Sequence, residues 1–423
     1  MTRSSANSVT VYSNGRILDG LRDIPNGYLV TKDESIVAVG VGEPKQRLPE
    51  GNVRQVDLAG RALLPGFIDC HVHLTMHGHA APTPIVTKMD EMVTLMRASI
   101  NALTTLHAGV TTVRDCGAPK QIDFALRRAA QEGLCITPRL LLSGTALCMT
   151  GGHGWQLLGE EVDGRDAIRR AARTQLRAGA DNIKLIASGG ILTAGTDIGR
   201  PQFSIDEMRV AVDEAHDAGK IAAAHAHGAE GVKRATLAGA DSIEHAYFID
   251  QEGIELMLAR GTWLVATSAA VRNVVSHGVA AGIPSHIAEK ANSAIEAHMS
   301  SFKAAHRAGV RMTMGTDSGV PFTYHGSNLD ELAYLVEMGL APQEAVRVAT
   351  LDSARLLKLD QQIGSLEEGK NADLIILDGD PLTDIRVLRQ PEKIRQVVLN
   401  GRTVLDRDVS AMLVGAGISG PIP

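Results

Sequence analysis

Along the middle of the chain, apolar and polar positions follow a two-part rhythm. An Ala-rich stretch with apolar residues at helical spacing ends at a glycine, and a short, almost wholly apolar run follows at once. The unit recurs at LHAGVTTVRD (Gly109), LRAGADNIKLIASGG (Gly179), HDAGKIAAAHAHG (Gly219), TLAGADSIEHA (Gly239), LARGTWLVATS (Gly261) and HRAGVRMTMGTDS (Gly309). Glycine at that point accepts the left-handed conformation that closes a helix, and a run apolar on both faces reads as a buried parallel strand. ALLPGFIDCHVH (Ala62–His73) and PRLLLSG (Pro138–Gly144) bring the strands to eight. Eight strands alternating with helices over about 300 residues predict an α/β fold, a (β/α)8 TIM barrel, although an open doubly wound sheet satisfies the same pattern.

The two ends carry a different rhythm. VTVYSNGRIL, YLVTKDESIVAVG and VRQVDLAG near the start, and ADLIILDGDP and IRQVVLNGRTVLD near the finish, are short β-type runs broken by Asn-Gly, Asp-Glu and Gly turns. Strands at both termini with the barrel between them predict a small β-sandwich built from both chain ends. The expected division is residues 1–64 and 364–423 for the sandwich and 65–363 for the barrel. The last ten residues, VGAGISGPIP, read as a tail or contact arm.

Composition narrows the class. The 423 residues carry 42 Lys+Arg against 48 Asp+Glu, a formal net charge of -6. Nucleic acid and anionic membranes both select clustered positive charge, so neither is an expected partner. No apolar run approaches the ~20 residues of a membrane-spanning helix, and MTRSSANSVT lacks the apolar core of a signal peptide. The four cysteines (Cys70, Cys116, Cys135, Cys148) have no CxxC spacing. They read as reduced thiols in a cytoplasmic enzyme.

Candidate chemistry gathers where the predicted strands end. His71 and His73 flank Val72, and residues two apart in a strand share a side, so both imidazoles aim into the barrel mouth. Lys184 lies inside the apolar run NIKLIAS, an expensive place for an ammonium without a partner or a modification. His225 ends IAAAHAHG, His245 ends SIEHA and Asp317 ends MGTDS. The carboxyl ends of barrel strands are where such folds place catalysis. Singly, each residue has an ordinary structural reading as a packed His or a paired Lys. Together, four imidazoles and a carboxylate in one mouth suit zinc or a related divalent ion. No GxSxG, Walker loop or dinucleotide fingerprint is present. Cys70 points away from His71 and reads as packing, while His107, His216, His298 and His306 read as helix positions without chemistry.

PGFIDCHVH, the strand lysine, HAHG, EHA, GTDS and the trailing EEGKNADLIILDGDP resemble the metal-dependent amidohydrolase superfamily over residues 9–408. SGGILT after Lys184 and TGGHG (Thr150–Gly154) resemble its branch of Xaa-Pro and Xaa-Arg/Lys dipeptidases and ochratoxin-hydrolysing amidases. Imidazolonepropionases and phenylurea or carbamate hydrolases are further neighbours. The resemblance implies two divalent metal ions. His71, His73 and Asp317 would hold one, and His225 and His245 the other. Lys184, carboxylated by CO2, would bridge them; an unmodified lysine with a single ion is the alternative. It implies hydrolysis of an amide C–N bond by hydroxide held between the ions, with Asp317 taking and returning the proton.

The implied substrate is a dipeptide or N-acyl amino acid. A urea, carbamate or cyclic amide is the alternative within the same chemistry, and a non-catalytic binding protein the alternative outside it. His153 in TGGHG is expected at the substrate carbonyl. His227 shares the strand face of His225, where the dipeptidases often have Tyr. Arg234 or Lys233 is a candidate clamp for a substrate carboxylate. His325, on the loop after strand 8, is a candidate substrate contact, and His77 and His79 sit at the mouth. Enzymes of this branch are commonly symmetric assemblies, so a homo-oligomer is expected.

Overall fold

The computed structural model describes residues 8–44 and 51–409, so the VGAGISGPIP tail lies outside the described residues. The chain divides into two compact units. One comprises Met1–Ile68, Leu106–Thr111 and Leu340–Pro423, and the other Asp69–Thr105 and Thr112–Gly339. Residues 340–363, expected with the barrel, therefore group with the chain ends.

The unit of the chain ends holds one hydrogen-bonded sheet of eight strands rather than two separate sheets. Ser8–Leu18 pairs antiparallel with Asp23–Lys32, which pairs with Ser35–Val41. The other edge of Ser8–Leu18 is shared. Its first half pairs parallel with Asn52–Asp57, and Arg16 and Ile17 pair with Ala62 and Leu63. The sheet continues from Ala62–Pro65 through Leu374–Leu377 and Ile394–Leu399 to Arg402–Asp406. Tyr12, Ile17, Leu29, Leu58, Leu63, Leu374 and Val398 form a core within it. Asn14-Gly15, expected as a turn, is a bulge inside a continuous strand, with Asn14 at φ 59° and a register shift after Tyr12. A side chain at Gly15 would meet Leu58 Cβ at 2.5 Å, so the bulge is a site of close approach.

The expected strands occur in the expected order. We label them β1 (Phe67–Val72), β2 (Val110–Asp115), β3 (Arg139–Leu142), β4 (Asn182–Ile186), β5 (Ile221–Gly228), β6 (Ser242–Phe248), β7 (Trp263–Ala266) and β8 (Met312–Met314). β1, β2 and β3 form one sheet. A second runs from Gly159–Glu161 and Ala146–Cys148 through β4 to β8, with every pairing parallel. Backbone contacts connect these sheets at both edges. Asp181 N donates to Leu142 O at 2.7 Å, and a parallel bridge joins Val72 to Ser318. The arrangement is of the TIM-barrel type. All six glycines of the repeat take φ between 65° and 103°, as the helix-closing role requires. No helix among the described residues is long and apolar enough to cross a membrane.

Candidate metal centre

β5 and β6 run side by side in a register that pairs His225 with Glu244 and Ala226 with His245, while β4 sets Ile186 beside His225. Alternation then points Lys184, His225 and His227 to one side, and all three line a single cavity. β1 contributes His71 and, just past its end, His73. β8 stops at Met314, so Asp317 lies three residues beyond the strand expected to carry it. A φ of 61° and a 2.8 Å bond from its N–H to His71 O turn Asp317 back toward β1. His245 also sits at positive φ, 74°. Such backbone costs about 1–3 kcal/mol per residue and persists where surrounding structure enforces it, as at functional sites.

The hydrogen bonds fix which ring nitrogens are free. His71 Nδ1 lies 2.7 Å from Glu244 Oε2, and His73 Nδ1 lies 3.1 Å from Gly117 O. Both partners are acceptors, so each Nδ1 carries the proton and each Nε2 offers its lone pair. Those two Nε2 atoms lie 3.4 and 3.2 Å from Asp317 Oδ1. Two lone pairs and a carboxylate oxygen converging in a buried space repel unless a cation or proton lies among them. Burial, with the Lys184 charge, pushes His71 down to about 4. Burial opposes charge on His73 too, but the Asp317 carboxylate outweighs it and the pKa is raised. Burial alone would raise Asp317; its interactions with His71, His73 and Lys184 instead bring it to about 2, so it is ionised at neutral pH.

Across the cavity, His225 Nε2 lies 3.3 Å from Gly189 O, and His245 Nδ1 lies 2.7 Å from Thr267 Oγ1. The rings of His225 and His245 have centroids 4.7 Å apart, and His227 stacks on His245 at 4.8 Å. Burial first, then neighbouring charge, holds all three well below the usual imidazole range, as neutral imidazoles. Lys184 Nζ is buried with no hydrogen-bond partner. Two sets of ligand atoms, His71–His245–Asp317 and His225–His227–His245, each gather within 4.8 Å. The converging lone pairs and the buried, unpartnered Lys184 Nζ make a His/Asp donor set that fits divalent ions.

The remaining expected residues divide. His153 lines the cavity, its ring centroid 4.6 Å from that of His225 and its Nδ1 3.0 Å from Thr193 Oγ1. Gly190 lies against it, and a Cβ there would come within 2.4 Å of the ring. Lys290 pins that loop, donating to Gly190 O at 2.9 Å and Thr193 O at 2.7 Å. His325, expected to touch substrate, is absent from the cavity lining. Its Nε2 lies 3.3 and 3.2 Å from the carbonyls of His73 and Met76, and its Nδ1 3.3 Å from Thr105 Oγ1, so it braces the turn after His73. Arg234 and Lys233 are not in the lining either. The helix Ala229–Ala238 buries Val232, Ala235 and Thr236. That leaves Arg234 paired with Glu230 at 2.8 Å and Lys233 with Glu252 at 2.7 Å. His298, read as a helix position without chemistry, is buried beside Tyr247 and bonds Ser268 Oγ at 2.9 Å.

Sequence reasoning missed Glu244 and Arg114, both fully buried. The reasoning that singled out Lys184, a charge inside an apolar strand, applies equally to VTTVRD and SIEHA.

Residues 62–404 match the amidohydrolase family, and the chain belongs to it. It is an amidohydrolase enzyme, which sets aside the non-catalytic alternative. The ochratoxinase of Aspergillus niger is 29% identical, with 93% of this chain and 86% of that protein covered. Its crystal structure superposes with a TM-score of 0.85 at 28% identity, covering 95% of this chain and 96% of the other. A Xaa-Pro dipeptidase with methionine bound in its active site is 32% identical at a TM-score of 0.86, covering 94% and 100%. A prolidase complexed with N-methylphosphonate-L-proline is 31% identical at 0.87, with the same coverage.

Proposed function

We propose that this enzyme hydrolyses the amide C–N bond of a dipeptide or N-acyl amino acid, ochratoxin A among them, with two divalent ions, zinc foremost. His71, His73 and Asp317 would hold one ion and His225 and His245 the other, with carboxylated Lys184 between. The observation that carries the metal reading is the convergence of His71 Nε2, His73 Nε2 and Asp317 Oδ1 beside an unpartnered Lys184. Relatives whose names specify ochratoxin and Xaa-Pro substrates support the substrate class.

Divalent ions held there would lower the pKa of water and polarise a carbonyl. Asp317, ionised at neutral pH, takes the proton from the attacking water and returns it to the departing nitrogen. The Thr193 hydroxyl accepts from Gly154 N at 2.9 Å and is free to donate to His153 Nδ1. Neutral His153 then presents Nε2–H to the developing oxyanion. Leu157, Leu158, Ile191, Leu192, Val271 and Val274 give the cavity an apolar wall for an aryl or aliphatic group and exclude bulk water.

One observation favours a second reading. Among the described residues lining the cavity, Lys184 is the one Lys or Arg, so a free substrate carboxylate finds no guanidinium there. A uncharged urea or carbamate needs none. Mass spectrometry of products, with zinc- and bicarbonate-loaded enzyme on dipeptides, N-acyl amino acids, ochratoxin A, phenylureas and carbamates, separates the two. Release of a free C-terminal amino acid establishes the first reading. Release of an amine from ureas or carbamates, with amino-acid amides untouched, replaces it with the second.

A further inference from the structure

Below the ligand histidines lies a buried group of charges that the reaction does not touch. Arg114 on β2, Ser242 and Glu244 on β6 have no exposed surface, and His71 on β1 has almost none. Glu244 Oε1 accepts from Ser242 Oγ at 2.6 Å and from Arg114 Nη2 at 2.8 Å. Its Oε2 accepts from His71 Nδ1 at 2.7 Å and from Arg114 Nη2 at 3.0 Å. Arg114 Nη1 donates to Ser242 Oγ at 3.0 Å, and Nε donates to Cys70 O at 2.6 Å. The guanidinium therefore grips both the backbone immediately before His71 and the carboxylate that holds the His71 ring.

We propose that Glu244, itself held by Arg114 and Ser242, is a positioning residue that locks His71 as the Nδ1–H tautomer and thereby sets the affinity of the first metal ion. The inference rests on the metal reading above. A buried Arg–Glu pair is a poor way to stabilise a fold. Desolvating the two charges costs several kcal/mol, and an apolar pair of similar volume commonly does as well or better. A role outside stability explains its presence, and the hydrogen bond to His71 supplies one. A carboxylate on the far nitrogen fixes ring orientation and raises the basicity of the ligating nitrogen, whereas His73 has only a neutral carbonyl in that position. His71, Cys116 and Glu244 also lie within 4.8 Å of one another. They do not make another metal site, because Arg114 already occupies the carboxylate and burial pushes the Cys116 thiol up to about 12.

The test is zinc affinity by chelator competition on the full chain, comparing wild type with E244Q and with R114M/E244M. The double variant removes both charges at similar volume, so its metal-free form should fold and melt cooperatively even where E244Q, which leaves Arg114 uncompensated, does not. The expected result is zinc binding weaker by about 10- to 100-fold in the double variant. Unchanged zinc affinity in a folded R114M/E244M protein overturns the proposal. A nitrogen spectrum of 15N-histidine-labelled wild type, free of metal, reads the tautomer whatever the variants do. His71 protonated at Nδ1 is expected, and protonation at Nε2 overturns the assignment. Wild type that takes up no zinc overturns the metal reading itself and is recognised separately, since the tautomer spectrum is recorded without metal.

Discussion

The two halves of the histidine cluster are built differently. On the β1 side, His71 and His73 each have Nδ1 committed to a fixed acceptor, one a buried carboxylate and the other a strand-end carbonyl. Their free nitrogens already converge on Asp317. On the β5–β6 side, His225 is held at 3.3 Å by a loop carbonyl, His245 by a threonine hydroxyl at positive φ, and the buried Nδ1 of His227 and Nζ of Lys184 have no hydrogen-bond partner. The first half is organised before any ion arrives. On the proposed two-ion reading the second would be completed by an ion and by modification of Lys184, so metal added stepwise should fill the β1 side first.

Substitutions test that contrast. Asp317→Asn should lower kcat by about 10²–10⁴-fold while zinc content, measured by atomic emission, changes little. Wild-type turnover in the variant would remove Asp317 from proton transfer. Lys184→Met should bind about one ion fewer per chain and lose any dependence of activity on bicarbonate. Full metal content in that variant would show that the second half needs no anionic lysine. His227→Ala should keep both ions and raise KM by about 3- to 10-fold, the worth of one hydrogen bond. Loss of an ion there would move His227 from the cavity wall into the ligand set, where its distances to His225 and His245 also allow it.

The support of the second half carries its own pH dependence. Glu331 accepts from Ser268 N at 2.8 Å and Ala269 N at 2.7 Å, holding the turn that follows Thr267, the partner of His245. Burial, only partly offset by these bonds, raises Glu331 from 4.5 to about 7. Because the folded pKa is raised, the folded chain binds the extra proton between those values. Its stabilising contribution is full below about 4.5 and is lost as pH rises through about 7. Glu331→Gln should flatten this part of the stability–pH curve, with a difference on the order of 1–3 kcal/mol at pH 8 by denaturant titration. Equal slopes for both proteins would exclude Glu331 as their source. The smallest effect is expected at Arg234→Ala. Its exposed pairing with Glu230 predicts less than about a 2-fold change in kcat/KM, and a large rise in KM would restore it as a carboxylate clamp.

Much of this was legible in the chain. The helix–Gly–strand rhythm marked six of the eight strands and their order, because a buried strand must be apolar on both faces and a helix needs glycine to close. The same alternation set His71 beside His73 and exposed Lys184 as a charge that required explanation. Tertiary structure decided what spacing cannot. His325 and Arg234 sit at plausible places in sequence, but one ring is spent on the carbonyls of a turn and the other cation on a helical neighbour. Asp317 reaches His71 only through a left-handed turn beyond β8. The Arg114–Glu244–His71 contacts join strands separated by |i−j| of 130 and 173 residues. Periodicity reports which face of its own element a side chain occupies. Which partner waits on that face depends on the register between strands far apart in the chain, and only folding brings that register into being.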